Sequence, residues 1–134
     1  MEKDQILSEE SAREQLQILL DFYDQDLEDL DDEDSKVSIR ISKKLTKAFM
    51  QGKLEVEIDD TGIKVRQNLC DGSSLVYRTI DAQAKVAMEQ YKKPHERLYG
   101  LLAVLSKSPM AKVQKIKGVD LSIAEHLALI FLAP

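Results

Sequence analysis

The sequence predicts an α+β domain with an N-terminal helix, a three-stranded antiparallel meander and a C-terminal helical cluster. Three observations carry that expectation. Ala12, Leu16, Leu19, Tyr23, Leu27 and Leu30 recur at steps of three and four, one stripe on the helical period. The period then changes to two, with Leu54, Val56 and Ile58 alternating with Lys53, Glu55 and Glu57. Beyond Asp81 the chain returns to helical spacing, punctuated by Pro94, Pro109 and Gly118.

The first helix is expected from Ser8 to about Leu30. Ser8 can cap it, and Glu9 and Glu10 suit the positive end of its dipole. Its stripe is under three heptads, so it must dock on this chain or on another. A second helix is expected from Ser42, as cap, to Gln51, with Gly52 as its stop. Leu45, Ala48 and Phe49 would face inward.

A hairpin follows, with Asp59-Asp60-Thr61-Gly62 as a four-residue loop. If Ile58 faces Ile63, then Glu57 faces Lys64 and Glu55 faces Arg66. Both outer pairs are opposite in sign, and such pairs stabilise by roughly 0.2–1 kcal/mol each. A one-residue slip would turn the apolar set to water, which specifies the register. A second turn at Cys70-Asp71-Gly72-Ser73 leads to a third strand from Leu75 to Ile80.

Asp81 caps a helix from Ala82 to about Lys92, and Pro94 opens the next. There Leu98, Leu101, Leu102 and Leu105 form an i, i+3, i+4, i+7 face. A short helix follows Ser108-Pro109, with Ser108 as cap and Gly118 as its end. Ser122 and Glu125 have capping-box spacing for a last helix, Ile123 to Leu132. That helix is apolar almost all round. It is either the central core helix or a surface meant for another protein.

Charge divides the chain. Residues 1–35 hold 14 acids against two bases, a net of −12, and residues 36–134 hold 17 bases against 10 acids, a net of +7. The expected organisation is therefore an acidic helical arm and linker over 1–35 and a single α+β domain over 36–134. Asp31-Asp32-Glu33-Asp34 reads as a loop. The arm reads as a solvated face with a linker, as a segment folded back on the basic body or offered to a partner, or as a calcium loop around Asp24, Asp26 and Glu28. The calcium reading is weak, because no Gly lies between Met1 and Gln51 to make the sharp turn.

Composition bounds the function. At 134 residues, 43% hydrophobic and 32% charged, the chain can bury one core without disulfides. No apolar run approaches the roughly 20 residues of a membrane span. MEKDQILSEE has no basic segment followed by an apolar one, so no secretory leader is expected. Cys70 is the only cysteine, which excludes an internal disulfide and any multi-cysteine metal site and points to a reduced, cytosolic setting.

Catalytic and ligand constellations are weak. Cys70 has no His near it in sequence and reads as a structural or incidental thiol. His95 and His126 do not form a spaced metal signature, and His126 reads as a hydrogen-bonded helix residue. The five glycines are unclustered, so no phosphate loop is present. No cofactor, metal or catalytic residue is expected, and an enzyme without a recognisable motif is the third-ranked reading. The lysines of the helical half, including Lys112 and Lys115 on one face, allow a nucleic-acid-associated regulatory protein as the alternative. They lack interleaved aromatics, and the acidic arm opposes a polyanion, so nucleic acid is disfavoured.

One pattern resembles a known family. The hairpin Ile63-Lys64-Val65, Asp71-Gly72-Ser73 and Val76-Tyr77-Arg78-Thr79-Ile80 leads into Asp81 and a helix. Then come Arg97-Leu98-Tyr99-Gly100-Leu101-Leu102-Ala103-Val104-Leu105-Ser106 and Val119-Asp120-Leu121, closing with Leu127, Ile130-Phe131-Leu132. This resembles the tail assembly chaperone proteins of tailed bacteriophages over about half the chain. The acidic arm departs from the family pattern. The resemblance implies a non-enzymatic protein of phage or prophage origin in the bacterial cytoplasm. Such a protein binds the tape measure protein during tail morphogenesis and leaves room for homo-oligomers. A helix-in-groove contact would cover the client's apolar stripe. The candidates for that groove are Leu98, Leu102, Leu127, Ile130 and Phe131. Their alternative role is simply the core.

Overall fold

A computed structural model describes residues 6–24 and 32–132, without the side chains of 32–38. Among the described residues six helices and three strands follow in the order α1 (Glu9–Phe22), α2 (Asp32–Met50), β1 (Leu54–Asp59), β2 (Gly62–Asn68), β3 (Ser74–Tyr77), α3 (Ala82–Met88), α4 (Pro94–Ser106), α5 (Met110–Gln114) and α6 (Gly118–Leu132). This is the α+β architecture the two periods predict.

Ser8 caps α1, its hydroxyl accepting from the Ser11 N–H at 3.1 Å. The helix ends at Phe22, short of the expected Leu30. Tyr23 leaves helical geometry and Asp24 takes a left-handed φ of 54°. Leu27 and Leu30, with Asp26 and Glu28 of the calcium reading, lie outside the described residues. The stripe's described members Ala12, Leu16 and Leu19 are buried, and they belong to the same core as α2, the sheet and α6. The first helix thus docks on its own chain.

The second helix begins at Asp32, ten residues before the expected cap at Ser42. Asp32-Glu33-Asp34 is therefore helix and not loop. An acidic run is favoured at a helix's first turn, where unpaired N–H groups leave partial positive charge. Leu45, Ala48 and Phe49 form its buried face as expected.

The sheet is a meander in the order β1-β2-β3, antiparallel throughout. Its register pairs Ile58 with Ile63, Glu57 with Lys64 and Glu55 with Arg66, as the alternation requires. Asp59 also pairs with Gly62, so the loop tightens from four residues to Asp60-Thr61. Asp59 holds this turn by accepting from the Thr61 N–H at 2.8 Å. The outer charges settle differently from the expectation. Lys64 pairs with Asp59 at 3.4 Å, while Glu55 accepts from the Asn68 amide at 2.9 Å. Gly62 has φ +125°, and a Cβ there would run into the Thr79 hydroxyl. That hydroxyl is occupied: it accepts from the Ile63 N–H at 2.8 Å and donates to the Ile63 carbonyl at 2.9 Å.

β3 stops at Tyr77 and not at Ile80, because the backbone turns toward α4. The Arg78 N–H donates to the Leu105 carbonyl at 3.0 Å. Asp81 caps α3 through the Ala84 N–H at 2.8 Å, though that helix ends at Met88. Pro94 takes the first turn of α4 as expected. Two caps are corrected. Pro109 is the N-cap of α5, and Ser108 instead donates to the Ser106 carbonyl at 3.3 Å. Gly118, at φ +65°, opens α6 and does not close α5, so Ser122 lies inside the last helix. Asp120 in that first turn accepts from the Cys70 N–H at 2.9 Å, a contact that fixes the helix start from across the fold.

One face of the sheet carries Leu54, Ile63, Val65, Gln67, Leu75 and Tyr77 inward, against α1 and α2 at β1 and α4 at β3. The other presents Glu55, Glu57, Lys64, Arg66 and Val76 to water. α6 runs through the middle against α2 and α4, with Ile123, Ala124, Leu127, Ala128, Ile130 and Phe131 buried. It is the central core helix. No helix among the described residues is long and apolar enough to cross a membrane.

Candidate functional site

Four of the five residues singled out for partner contact lie in the core. Leu102 and Leu127 are fully buried, Ile130 and Phe131 nearly so, and only Leu98 is half-buried. Phe131 is wedged between two tyrosines, with ring centroids 5.6 Å from Tyr23 and 5.9 Å from Tyr77. It ties the end of α1 and the end of β3 to α6. Apolar residues at helical spacing satisfy a core and a groove equally well, and here the packing of α6 between α2 and α4 assigns them to the core.

Among the described residues the large apolar side chains most exposed to water are Ile6, Ile18, Phe22, Ile39, Ile58, Val76, Val86, Val119 and Leu129. Ile18 and Phe22 stand one turn apart on α1, Ile39 on α2 and Leu129 on α6. These three helices pack in series, α1 on α2 and α2 on α6. Sequence reading missed them because apolar composition does not separate exposed from buried positions, and only the helix rotation tells them apart.

A polar network lies under the sheet. Tyr77 Oη donates to Gln67 Oε1 at 2.7 Å, and Gln67 Nε2 donates to the Asp120 carbonyl at 2.8 Å. The Asp120 carboxylate accepts from the Cys70 N–H at 2.9 Å and from its Sγ at 3.4 Å. Burial pushes the Tyr77 phenol well above its ordinary range, and Asp120 adds to the effect. The hydrogen bond to Asp120, and then its negative charge, push the exposed Cys70 thiol up. A raised thiol is a poor nucleophile at neutral pH, because the thiolate is the reactive species.

His95 packs edge-on against Tyr99 at 6.4 Å, and His126 Nδ1 lies 2.6 Å from the Ser122 carbonyl. Tyr99 Oη donates to Glu125 at 2.9 Å, and that hydrogen bond raises the phenol. Among the described residues no group of three or more His, Cys, Asp or Glu could hold a metal ion.

A cavity of about 610 Å³ opens between the start of β2, the end of β3 and the end of α4. Its walls include Ile63, Val76, Ile80 and Leu105, and its charged groups are Lys64, Arg78, Lys107 and Asp81. Arg78 and Lys107 carry no motif, since they meet only when the chain turns from strand to α4.

Comparison with protein-family models, with curated proteins and with solved structures found no match for this chain.

Proposed function

We propose that this chain is a non-enzymatic tail assembly chaperone of phage or prophage origin. It acts in the bacterial cytoplasm by binding the tape measure protein through its helical surface. The reading rests on the resemblance from Ile63 to Leu132 and on one structural observation: Ile18, Phe22, Ile39 and Leu129 are exposed on helices that pack in series. Large apolar groups on adjoining helices can cover the apolar stripe of a client helix. The contact therefore shifts from the core motif residues to their exposed neighbours.

The test is co-expression of the full chain with a phage tape measure protein, followed by affinity purification. The expected result is that wild type co-purifies the client, and that Phe22→Asp with Leu129→Asp abolishes this while the circular dichroism spectrum and Tm are kept. Undiminished capture by the folded double variant would reject this surface. Capture of nucleic acid in place of the client, lost on adding salt, would favour the nucleic-acid alternative.

A further inference from the structure

The cavity beside the end of α4 combines basic groups with an apolar wall. The carbonyls of the last turn of α4, beside it, are already taken. Leu102 accepts from the Ser106 hydroxyl at 2.7 Å, Ala103 from the Ser108 N–H at 2.9 Å, Val104 from the Lys107 N–H at 3.2 Å and Leu105 from the Arg78 N–H at 3.0 Å. The threonine hydroxyls are also committed, Thr61 to Asp59 at 2.5 Å and Thr79 to Ile63. Three of the four charged groups that line the cavity are basic. Arg78 Nε is buried without a hydrogen-bond partner. Its Nη1 is held by Asp81 at 3.0 Å, which fixes the guanidinium in place. Lys107, in left-handed backbone at φ 53°, makes no ion pair among the described residues. Lys64 is shared with Asp59 at 3.4 Å.

Three cations against Asp81 inside the cavity, with Asp59 at its edge, favour a negative acceptor. Ile63, Val76, Ile80 and Leu105 require that the ligand also carry apolar surface. About 610 Å³ lies within the range of small-molecule sites.

We propose that this cavity binds a small amphipathic anion. Its anionic oxygens meet the Arg78 guanidinium and Lys107, and its apolar body lies against Ile63, Ile80 and Leu105. The shared chemistry is an oxyanion on a short aliphatic chain, and carboxylate and phosphate ester are its two sources. The site is separate from the helical surface of the proposed function and stands or falls without it.

Titration of the full chain with hexanoate, hexyl phosphate and hexanol, followed by amide NMR, tests the proposal. The expected result is a saturable shift of the Arg78, Thr79, Leu105 and Lys107 amides with at least one anion. Whichever anion binds more tightly names the headgroup. Hexanol is expected to bind about tenfold more weakly, the difference one charge-assisted hydrogen bond makes. Arg78→Gln should weaken the anion by about tenfold, and Lys107→Gln, which keeps the Arg78–Asp81 contact, by about threefold. Equal binding of hexanol and the anions would overturn the proposal, as would unchanged affinity in Lys107→Gln and Arg78→Gln, or no saturable shift with a folded spectrum.

Discussion

The Tyr77 hydroxyl donates a 2.7 Å hydrogen bond to Gln67 Oε1, and both residues are buried under the sheet. They sit on neighbouring strands, two positions out of direct register, with Gln67 paired to Leu75 and Tyr77 to Val65. The amide of Gln67 then reaches the backbone of α6 at Asp120. This chain of bonds joins the sheet to the central helix.

Gln67→Leu leaves the buried Tyr77 hydroxyl without its acceptor and is expected to cost about 1–3 kcal/mol. Adding Tyr77→Phe removes that stranded donor and should recover part of the loss. Urea unfolding of the two single variants and the double variant measures the coupling. Additive losses would mean that the two side chains act independently.

Gly100 faces the ring of Tyr91 so closely that an added Cβ would strike it. Gly100→Ala alone is expected to displace the ring and destabilise the α3–α4 corner. In a Tyr91→Ala background the clash is absent. There the same change should stabilise by about 1 kcal/mol, because alanine favours the helix interior over glycine. A reversal of sign in thermal unfolding is the signature.

Cys70 should alkylate slowly. Its thiol pKa is raised by the hydrogen bond to Asp120 and by that residue's charge, so less thiolate is present at pH 8. Iodoacetamide labelling of Asp120→Asn is expected to be faster than of wild type under native conditions. Equal rates would remove Asp120 as the cause.

Asp81 caps α3, and the Ala84 N–H, followed by Arg78, holds its carboxyl below the ordinary aspartate range. A depressed carboxyl contributes stability that is fully present above the ordinary value of 3.8 and is lost as pH falls through the folded value. Asp59 and Asp71 are lowered in the same direction by hydrogen bonds from Thr61 and Ser73. Carbon-detected carboxyl titration should place all three midpoints below that value. In Asp81→Asn the stability loss on acidification should be shallower.

Phe131 and Phe22 distinguish core from surface. Phe131→Ala is expected to cost about 3–5 kcal/mol, since it empties the contact between Tyr23 and Tyr77. Phe22→Ser, at a position 39% exposed and in edge contact with Tyr23, should cost less, about 1 kcal/mol. Denaturant midpoints of the two variants separate these outcomes.

The sequence by itself determined the elements whose cause is local. The alternation from Leu54 to Arg66 determined the hairpin register, because a slip reverses every side chain. Ser8 and Asp81 determined their helix starts, because a cap needs only its own next turn. Tertiary structure decided what depends on distant groups. The start of α6 at Gly118 is secured by Cys70 from across the fold, and local spacing at Ser122 and Glu125 pointed elsewhere. The rotation of α1 and α6 decided that Phe131 is core while Phe22 and Leu129 are surface, although all three are apolar residues in apolar-rich helices. Arg78 and Lys107 share one cavity only because β3 ends at Tyr77 and its backbone turns onto Leu105. Local propensity and periodicity act over a few residues, whereas burial is set by which helices close over one another.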